Sequence, residues 1–183
     1  MLIGLIILAV LVIWAVSSYN SLVKLRNNRE NAFADIDVQL KQRADLIPQL
    51  VATVKGYAEH EKETFERVVK ARSLAMNAST IEEKIEADNQ MSSALAGMRL
   101  LREAYPELKA NTNFMQLQEE IADIENKLSA VRRFFNSATK ELNNAVQTFP
   151  SNILAGMFGF HTEKMYDLGA ERATLDIAPE IKF

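Results

Sequence analysis

Histidine and acidic residues are the side chains in this sequence whose types and spacing could support chemistry. His60-Glu61 begins like the His-Glu-x-x-His helix of zinc proteases, but Thr64 stands where the second histidine ligand is needed. A serine nucleophile would need His60 or His161 as its base, and neither histidine lies in a nucleophile motif. We therefore interpret both histidines as surface side chains.

A calcium site is the second kind of chemistry that the spacing could suggest. Asp35 and Asp37 resemble the start of a calcium-binding loop, but no glycine follows at the turn and Leu46 holds the twelfth position. The chain has no cysteine, which excludes thiolate ligands, a cysteine nucleophile and disulfides. The sequence predicts a protein that is not an enzyme, with no metal site and no cofactor.

Composition limits the remaining classes of function. The 183 residues carry a net charge of only −3, which argues against a nucleic-acid partner because such proteins present a basic face to phosphates. Four prolines and six glycines are too few for a protein made of many short strands. The composition favours one folded, helical domain with an appendage.

The first 23 residues predict a transmembrane anchor and therefore a lipid bilayer as a partner. Residues 2–16 contain no charged side chain and span about 22 Å as a helix, and continuing to Val23 reaches the length of a bilayer core. Trp14 and Tyr19 suit the headgroup level. The predicted anchor positions are Leu2, Ile6, Leu8, Leu11, Ile13, Trp14 and Tyr19.

A cleaved signal peptide is the competing interpretation of this segment. Residues 15–17 loosely fit a cleavage site, but the positive leader is missing because Met1 is followed at once by Leu2. For a permanent anchor, Lys24, Arg26 and Arg29 lie directly after the apolar run. The positive-inside rule then places the N-terminus outside and the bundle in the cytoplasm of a bacterial inner membrane.

A long apolar seam predicts a helix that ends near Pro150. Its members alternate in steps of three and four residues, and charged residues such as Arg132 lie between them as a predicted solvated face. Asp123 and Lys127 have the spacing of a surface ion pair. The seam comprises Phe114, Leu117, Ile121, Ile124, Leu128, Val131, Phe135, Ala138, Leu142, Ala145 and Phe149.

Two further helical stripes precede this seam and complete a predicted antiparallel bundle, residues 24–149, with coiled-coil-like packing. One stripe runs from Leu22 to Ala58 and could continue the anchor helix, and Pro48 either kinks that helix or breaks it. Another helix begins at Ser79 or Thr80, where both residues fit a capping box, and stops before Pro106.

The last segment, residues 150–183, is too apolar for a solvated tail. It either folds back over the open end of the bundle or contacts a neighbouring subunit or partner. Arg43 and Asp45 also have two interpretations, because they could fix a kink by local pairing or form a recognition surface. The candidate protein–protein contacts are Arg43, Asp45, Ile153, Leu154, Phe158, Phe160, Ile181 and Phe183.

Several motifs along the chain resemble the LemA family of bacterial membrane proteins. They are LVKLRN at 22–27, AFADIDVQLKQRADLIP at 32–48, VKGYAEHE at 54–61, YPELKAN at 105–111, NF at 113–114, LQ at 117–118 and FGF at 158–160. Phe135 before Asn136 is a small departure, since tyrosine is usual there. The resemblance implies a single N-terminal membrane helix, an antiparallel bundle and no catalytic residues.

Two functions follow as hypotheses. The first is a membrane-anchored scaffold that self-assembles into a homo-oligomer through its bundle and C-terminal segment. The second is an adaptor or regulatory module for another membrane protein, such as a protease or a sensor kinase in envelope quality control. Family genes often neighbour one for a heat-shock membrane metalloprotease, which motivates the second hypothesis, and the Arg43–Asp45 region would then be the recognition face.

Overall fold

The computed structural model describes residues 1–167, and every regular element in that range is an α-helix. The predicted all-helical class is therefore confirmed, with one long apolar helix at the N-terminus and bundled helices after it. The described helices are α1 (Leu2–Lys55), α2 (Lys62–Asn77), α3 (Ile81–Ala104), α4 (Pro106–Lys109), α5 (Thr112–Gln147) and α6 (Ser151–Met157).

Packing divides the chain into two compact units. The first unit contains Met1–Asp35 and Val131–Tyr166, and Ile36–Ala130 makes up the second within the described residues. These units group the anchor with the segment after Pro150. They do not coincide with the predicted segments 1–23, 24–149 and 150–183, which remain a prediction.

The core of the second unit draws apolar side chains from five helices. Each helix except the four-residue α4 contributes residues at the three- or four-residue spacing that keeps one face buried. The principal members are Ile47, Leu50 and Val54 from α1, Phe65 and Val68 from α2, Met91, Leu95 and Met98 from α3, Leu108 from α4, and Phe114, Leu117 and Ile121 from α5.

The predicted seam of α5 is buried along most of its length. Seven of its members after Phe114 are buried, and the Lys127 ammonium lies 2.7 Å from Asp123 on the exposed side as predicted. The prediction was wrong at two places. α5 ends at Gln147, so Phe149 lies outside the helix and is exposed, and Arg132 is buried rather than solvated. The buried members are Leu117, Ile121, Ile124, Leu128, Phe135, Ala138 and Leu142.

Pro48 lies inside α1 without ending the helix, so the predicted break does not occur. Proline lacks the N–H that would donate to the carbonyl of Ala44, four residues earlier. The Arg72 side chain on α2 donates its Nε–H to that carbonyl at an N–O distance of 3.0 Å. A tertiary contact thus replaces the missing helical hydrogen bond.

The start of α3 is held by the predicted capping box, which uses Thr80 and Glu83. The Glu83 backbone N–H donates to Thr80 Oγ1 at 3.2 Å, and the Glu83 carboxylate accepts from the backbone N–H groups of Ser79 and Thr80 at 2.8 and 3.1 Å. The Ser79 hydroxyl also donates to this carboxylate. Led by the bond from the Ser79 backbone, these donors lower the pKa of Glu83 from 4.5 to about 2.

Polar contacts also join the turns of the second unit. The Tyr105 hydroxyl, between α3 and α4, donates to Glu61 Oε1 at 3.2 Å, and Asn111 Nδ2 donates to the Tyr57 hydroxyl at 2.9 Å. Desolvation raises the pKa of Tyr105, and the negative charge of Glu61 raises it further. These contacts link connections that are far apart in sequence.

Arg72→Ala should destabilise the protein more when Pro48 is present than when it is absent. Removing the guanidinium leaves the Ala44 carbonyl without its donor, a loss of about 1–3 kcal/mol. In a Pro48→Ala background, the new N–H can bond the same carbonyl, so the further loss should be small. A double-mutant cycle on urea unfolding of the full chain in detergent measures the difference. Equal losses in both backgrounds would contradict this role for Arg72.

Glu83→Gln should alter how stability depends on pH. The folded-state pKa of Glu83 is depressed, so its contribution is complete above about pH 4.5 and is lost as pH falls toward about 2. The stability difference between wild type and Glu83→Gln should shrink across that window. Unfolding titrations at several pH values measure it, with Glu82→Gln as the control in the same helical turn. An unchanged difference across the window would contradict the assignment.

Candidate membrane anchor and interaction surface

The first half of α1 presents an apolar surface with no covering side chains over most of its length. Leu2–Lys55 is the one helix within residues 1–167 that is long and apolar enough to cross a membrane. The predicted anchor positions Leu2, Ile6, Leu8, Leu11, Ile13 and Tyr19 are all exposed. A continuous apolar surface of this size marks a membrane or protein interface, and its length fits a bilayer.

Trp14 differs from the other anchor positions because it is partly buried within the chain. It packs, with Ala15, against a small core formed by Leu22, Leu154, Ala155 and Phe160. Leu154 and Ala155 belong to α6. The structure therefore places α6 beside the part of the anchor that includes Trp14, which the sequence prediction did not anticipate.

The segment after Pro150 folds back onto the first unit as far as the structure describes it. Leu154 and Phe160 are buried there, whereas Ile153 and Phe158 are exposed. The Tyr19 ring lies 4.8 Å from the Phe158 ring and 6.1 Å from the Phe160 ring, centroid to centroid. The other two predicted contacts of this segment, Ile181 and Phe183, lie outside the described residues.

Short-range contacts shape α6. Pro150 is its N-cap residue, and the Ser151 hydroxyl lies 2.6 Å from the Ala145 carbonyl and 2.8 Å from the Thr148 carbonyl. At the other end, Gly159 has φ +73°, and the Phe160 N–H donates to the Ala155 carbonyl at 2.9 Å. This is a Schellman ending, for which glycine is favoured because it adopts positive φ without steric cost.

Two asparagines of α5 hold the backbone that follows α6. Asn143 donates to the Glu163 carbonyl at 2.9 Å and accepts from the Glu163 N–H at 2.7 Å. Asn136 makes the same pair of bonds with Tyr166, at 3.1 and 2.7 Å. Seven helical residues rise about 10.5 Å, and three extended residues span about 10 Å, so the two spacings match. We call these two residues the asparagine clamp.

Three arginines pack against residues 160–166, which we call the clamped segment because the asparagine clamp binds Glu163 and Tyr166 within it. Arg29 is buried, with its guanidinium 3.3 Å from the Glu163 carboxylate and 4.9 Å from the centre of the Phe135 ring. Arg26 lies over Phe160 and Arg132 over Tyr166, at 5.3 and 4.9 Å. Cation–π contacts of this kind suit arginine, which is more weakly hydrated than lysine. Arg132 is therefore buried over the Tyr166 ring instead of lying in solvent.

Arg43 and Asp45, the predicted recognition pair, have separate partners in the second unit. The Arg43 guanidinium is buried and forms an ion pair with Asp88 on α3, together with a 3.2 Å hydrogen bond to the Ser92 hydroxyl. Asp45 is exposed and pairs with Lys41 at 3.3 Å. Arg43 thus does not form the local pair proposed for a kink, and its charge faces the interior rather than a partner.

Titratable residues do not converge into a reactive centre in the part of the chain that the structure describes. Across residues 1–167, no group of three His, Asp or Glu side chains is placed to hold a metal ion. A 210 Å³ cavity has a largely apolar lining that also includes the charged side chains Asp37, Lys84 and Asp88. Lys84 bonds Asp37 at 2.6 Å, and Asp88 pairs with Arg43, so these charges are neutralised by one another.

The fold and the exposed apolar half of α1 define a class, that of helical-bundle proteins with an N-terminal membrane anchor. The model of the LemA family matches residues 32–183. The chain belongs to the LemA family.

Curated relatives match most of the chain. Protein LemA of Metamycoplasma hominis is 25% identical over 159 residues, covering 86% of this chain and 73% of that protein. Magnetosome protein MamQ of Magnetospirillum gryphiswaldense is 21% identical over 189 residues, covering 89% of this chain and 70% of that protein. Magnetosome protein MamQ 2 of Paramagnetospirillum magneticum is 19% identical over the same shares. These matches support a membrane-associated protein.

Asn143→Ala should release the clamped segment. The substitution leaves the Glu163 N–H and carbonyl without partners, which costs about 1–3 kcal/mol locally. Hydrogen exchange at the Glu163 amide should speed up by roughly tenfold, since 1.4 kcal/mol corresponds to that factor. Mass-spectrometric exchange of the full chain in nanodiscs measures it.

Asn144→Ala is the matched control, because Asn144 is the exposed neighbour on the same helix. It should leave exchange in residues 158–167 unchanged. Equal protection in the Asn143→Ala variant and wild type would show that the clamp does not hold the segment.

Proposed function

We propose that this LemA-family protein is a non-enzymatic, membrane-anchored scaffold that self-assembles through its helical bundle and C-terminal segment. The observation that carries the proposal is the continuity of α1. This single helix begins in the apolar anchor and ends in the core of the second unit, where Ile47, Leu50 and Val54 are fully buried. An anchor built into the bundle in this way suits a structural element better than a flexible tether.

Exposed apolar side chains on the long helices supply surfaces for contacts between copies. Phe134 on α5 is 59% exposed, whereas its neighbour Phe135 on the same helix is buried. Leu100 on α3 is also exposed. Single exposed apolar residues are common on monomers. A measurement of assembly therefore decides whether these positions form contacts between copies.

The C-terminal segment divides into residues that are available for assembly and residues that are not. Leu154 and Phe160 are buried against the anchor of the same chain, so they support assembly by holding the segment in place. Ile153 and Phe158 keep exposed surface.

We place the protein in the bacterial inner membrane with its N-terminus outside and its bundle in the cytoplasm. Lys24 and the exposed Arg26 support this orientation through the positive-inside rule. Arg29 contributes less to it, because its charge is buried and paired with Glu163. The adaptor hypothesis takes Arg43 and Asp45 as its recognition face. Arg43 is paired with Asp88 in the interior, which weakens the support for this hypothesis.

The full-length protein extracted in mild detergent should have the mass of several copies, and Phe134→Glu should reduce that mass. A carboxylate at a contact between copies must be desolvated, which opposes association. Sedimentation of the detergent-solubilised protein measures both values. Lys140→Glu, which alters another exposed residue of α5, is the control and should leave the mass unchanged.

A monomeric wild-type protein would contradict the proposal. A particle that contains one copy and a different protein would favour the adaptor hypothesis instead.

A further inference from the structure

We propose that α6 is a second membrane contact, embedded in the bilayer interface beside the anchor. This inference concerns lipid and does not depend on self-assembly. It goes beyond a single-pass anchor, because the lipid-facing surface would include residues more than 130 positions further along the chain. The lipid bilayer covers the exposed face of α6.

The depth of α6 follows from its contacts with the anchor. Trp14 and Ala15 pack against the cluster that contains Leu154 and Ala155, and the Phe158 ring makes a tilted contact with the Tyr19 ring. Counted from Leu2, Trp14 is about 18 Å and Tyr19 about 26 Å along the helix, whereas a bilayer core is about 30 Å thick. If the anchor spans the bilayer from Leu2, the contacts of α6 lie about 4–12 Å below the far edge of the hydrocarbon.

The surface that α6 turns away from the anchor is largely apolar, although the polar side chain of Asn152 is also exposed. Ile153 and Met157 are four residues apart on one helical face and are 52% and 73% exposed. Phe149 and Phe158 flank the helix and are exposed as well. This surface is continuous with the anchor through the Tyr19–Phe158 contact. The same lipid can therefore cover the anchor and the exposed face of α6.

The sequence around α6 also lacks the charges that would keep it in water. From Leu142 to Phe160 there is no Asp, Glu, Lys or Arg. The end of α5 ordinarily exposes carbonyl groups to water. Here the Ser151 hydroxyl lies within hydrogen-bond distance of two of them, and the Asn152 N–H donates to the Thr148 carbonyl at 2.9 Å.

Internal pairing of backbone groups is what a low-dielectric environment requires. The Schellman ending supplies the same pairing at the other end of α6, where Phe158 and Phe160 donate to the carbonyls of Leu154 and Ala155. Interfacial helices bury their apolar face about 5–10 Å below the headgroups. The seven residues of α6 fit that role, because they are too few to cross the bilayer but carry an apolar face.

Site-specific lipid quenching tests the inference, and the absence of cysteine makes single labelling sites simple. Ile153→Cys and Met157→Cys are labelled with bimane in the full chain, reconstituted in phosphatidylcholine–phosphatidylglycerol vesicles with or without brominated acyl chains. Ile7→Cys in the anchor is the lipid-exposed reference. Val69→Cys is the matched control, since Val69 on α2 is 53% exposed, almost the same fraction as Ile153.

Brominated lipid should quench positions 153 and 157 nearly as strongly as position 7, and several-fold more than position 69. Quenching at 153 and 157 no greater than at 69 would overturn the inference. Weak quenching at both positions that rises when the protein is diluted into more brominated lipid would also overturn the inference. It would show that a second copy of the chain covers these positions. Lipid quenching of a monomeric protein would support this inference while contradicting the scaffold proposal.

Discussion

The apolar surface of the first half of α1 is the constraint on which the rest of the first unit depends. Water cannot solvate that surface without a cost of about 25 cal/mol for each Å² exposed, and the helix is long enough to remove it into a bilayer. Once the anchor is in lipid, its depth fixes the environment of every residue packed against it. Trp14, Tyr19, α6 and Phe160 share that environment because they touch one another.

The clamped segment ties the C-terminal part of the unit to α5 and to the part of α1 that follows the anchor. Its backbone bonds Asn136 and Asn143, and its Glu163 carboxylate meets the buried Arg29. A buried arginine without a carboxylate would carry an uncompensated charge. The segment therefore completes the packing of α1 and α5 within this unit, and these contacts hold residues 160–166 in place.

Much of the architecture was predictable because it depends on local pattern. The seam from Leu117 to Leu142 and the Thr80 cap are read directly from spacing, since helical periodicity and capping involve neighbours in sequence. The continuity of α1 was left open because proline usually ends a helix. The helix continues through Pro48 with the help of Arg72, which donates to the Ala44 carbonyl from 28 residues away. No local sequence pattern reveals that contact.

The charged and amide residues were predicted least well. The sequence predicts Arg132 on a solvated face, and Arg43 either in a local pair or on a recognition surface. Each instead has a partner in a distant part of the chain, Asp88 for Arg43 and Tyr166 for Arg132. The asparagine clamp was also missed. Its one sequence signal is two asparagines seven residues apart beside an apolar seam, but the extended segment they bind has no periodicity of its own.

Residues 151–160 of each chain fold back onto the anchor of the same chain. Crosslinking of a Tyr19→Cys, Phe158→Cys variant in membranes, with a short bis-maleimide, tests it most directly. The account predicts a crosslink within one chain, so a denaturing gel shows monomer mass and peptide analysis finds the two cysteines joined. A crosslinked dimer, or no reaction between two cysteines that each react separately, would contradict the account.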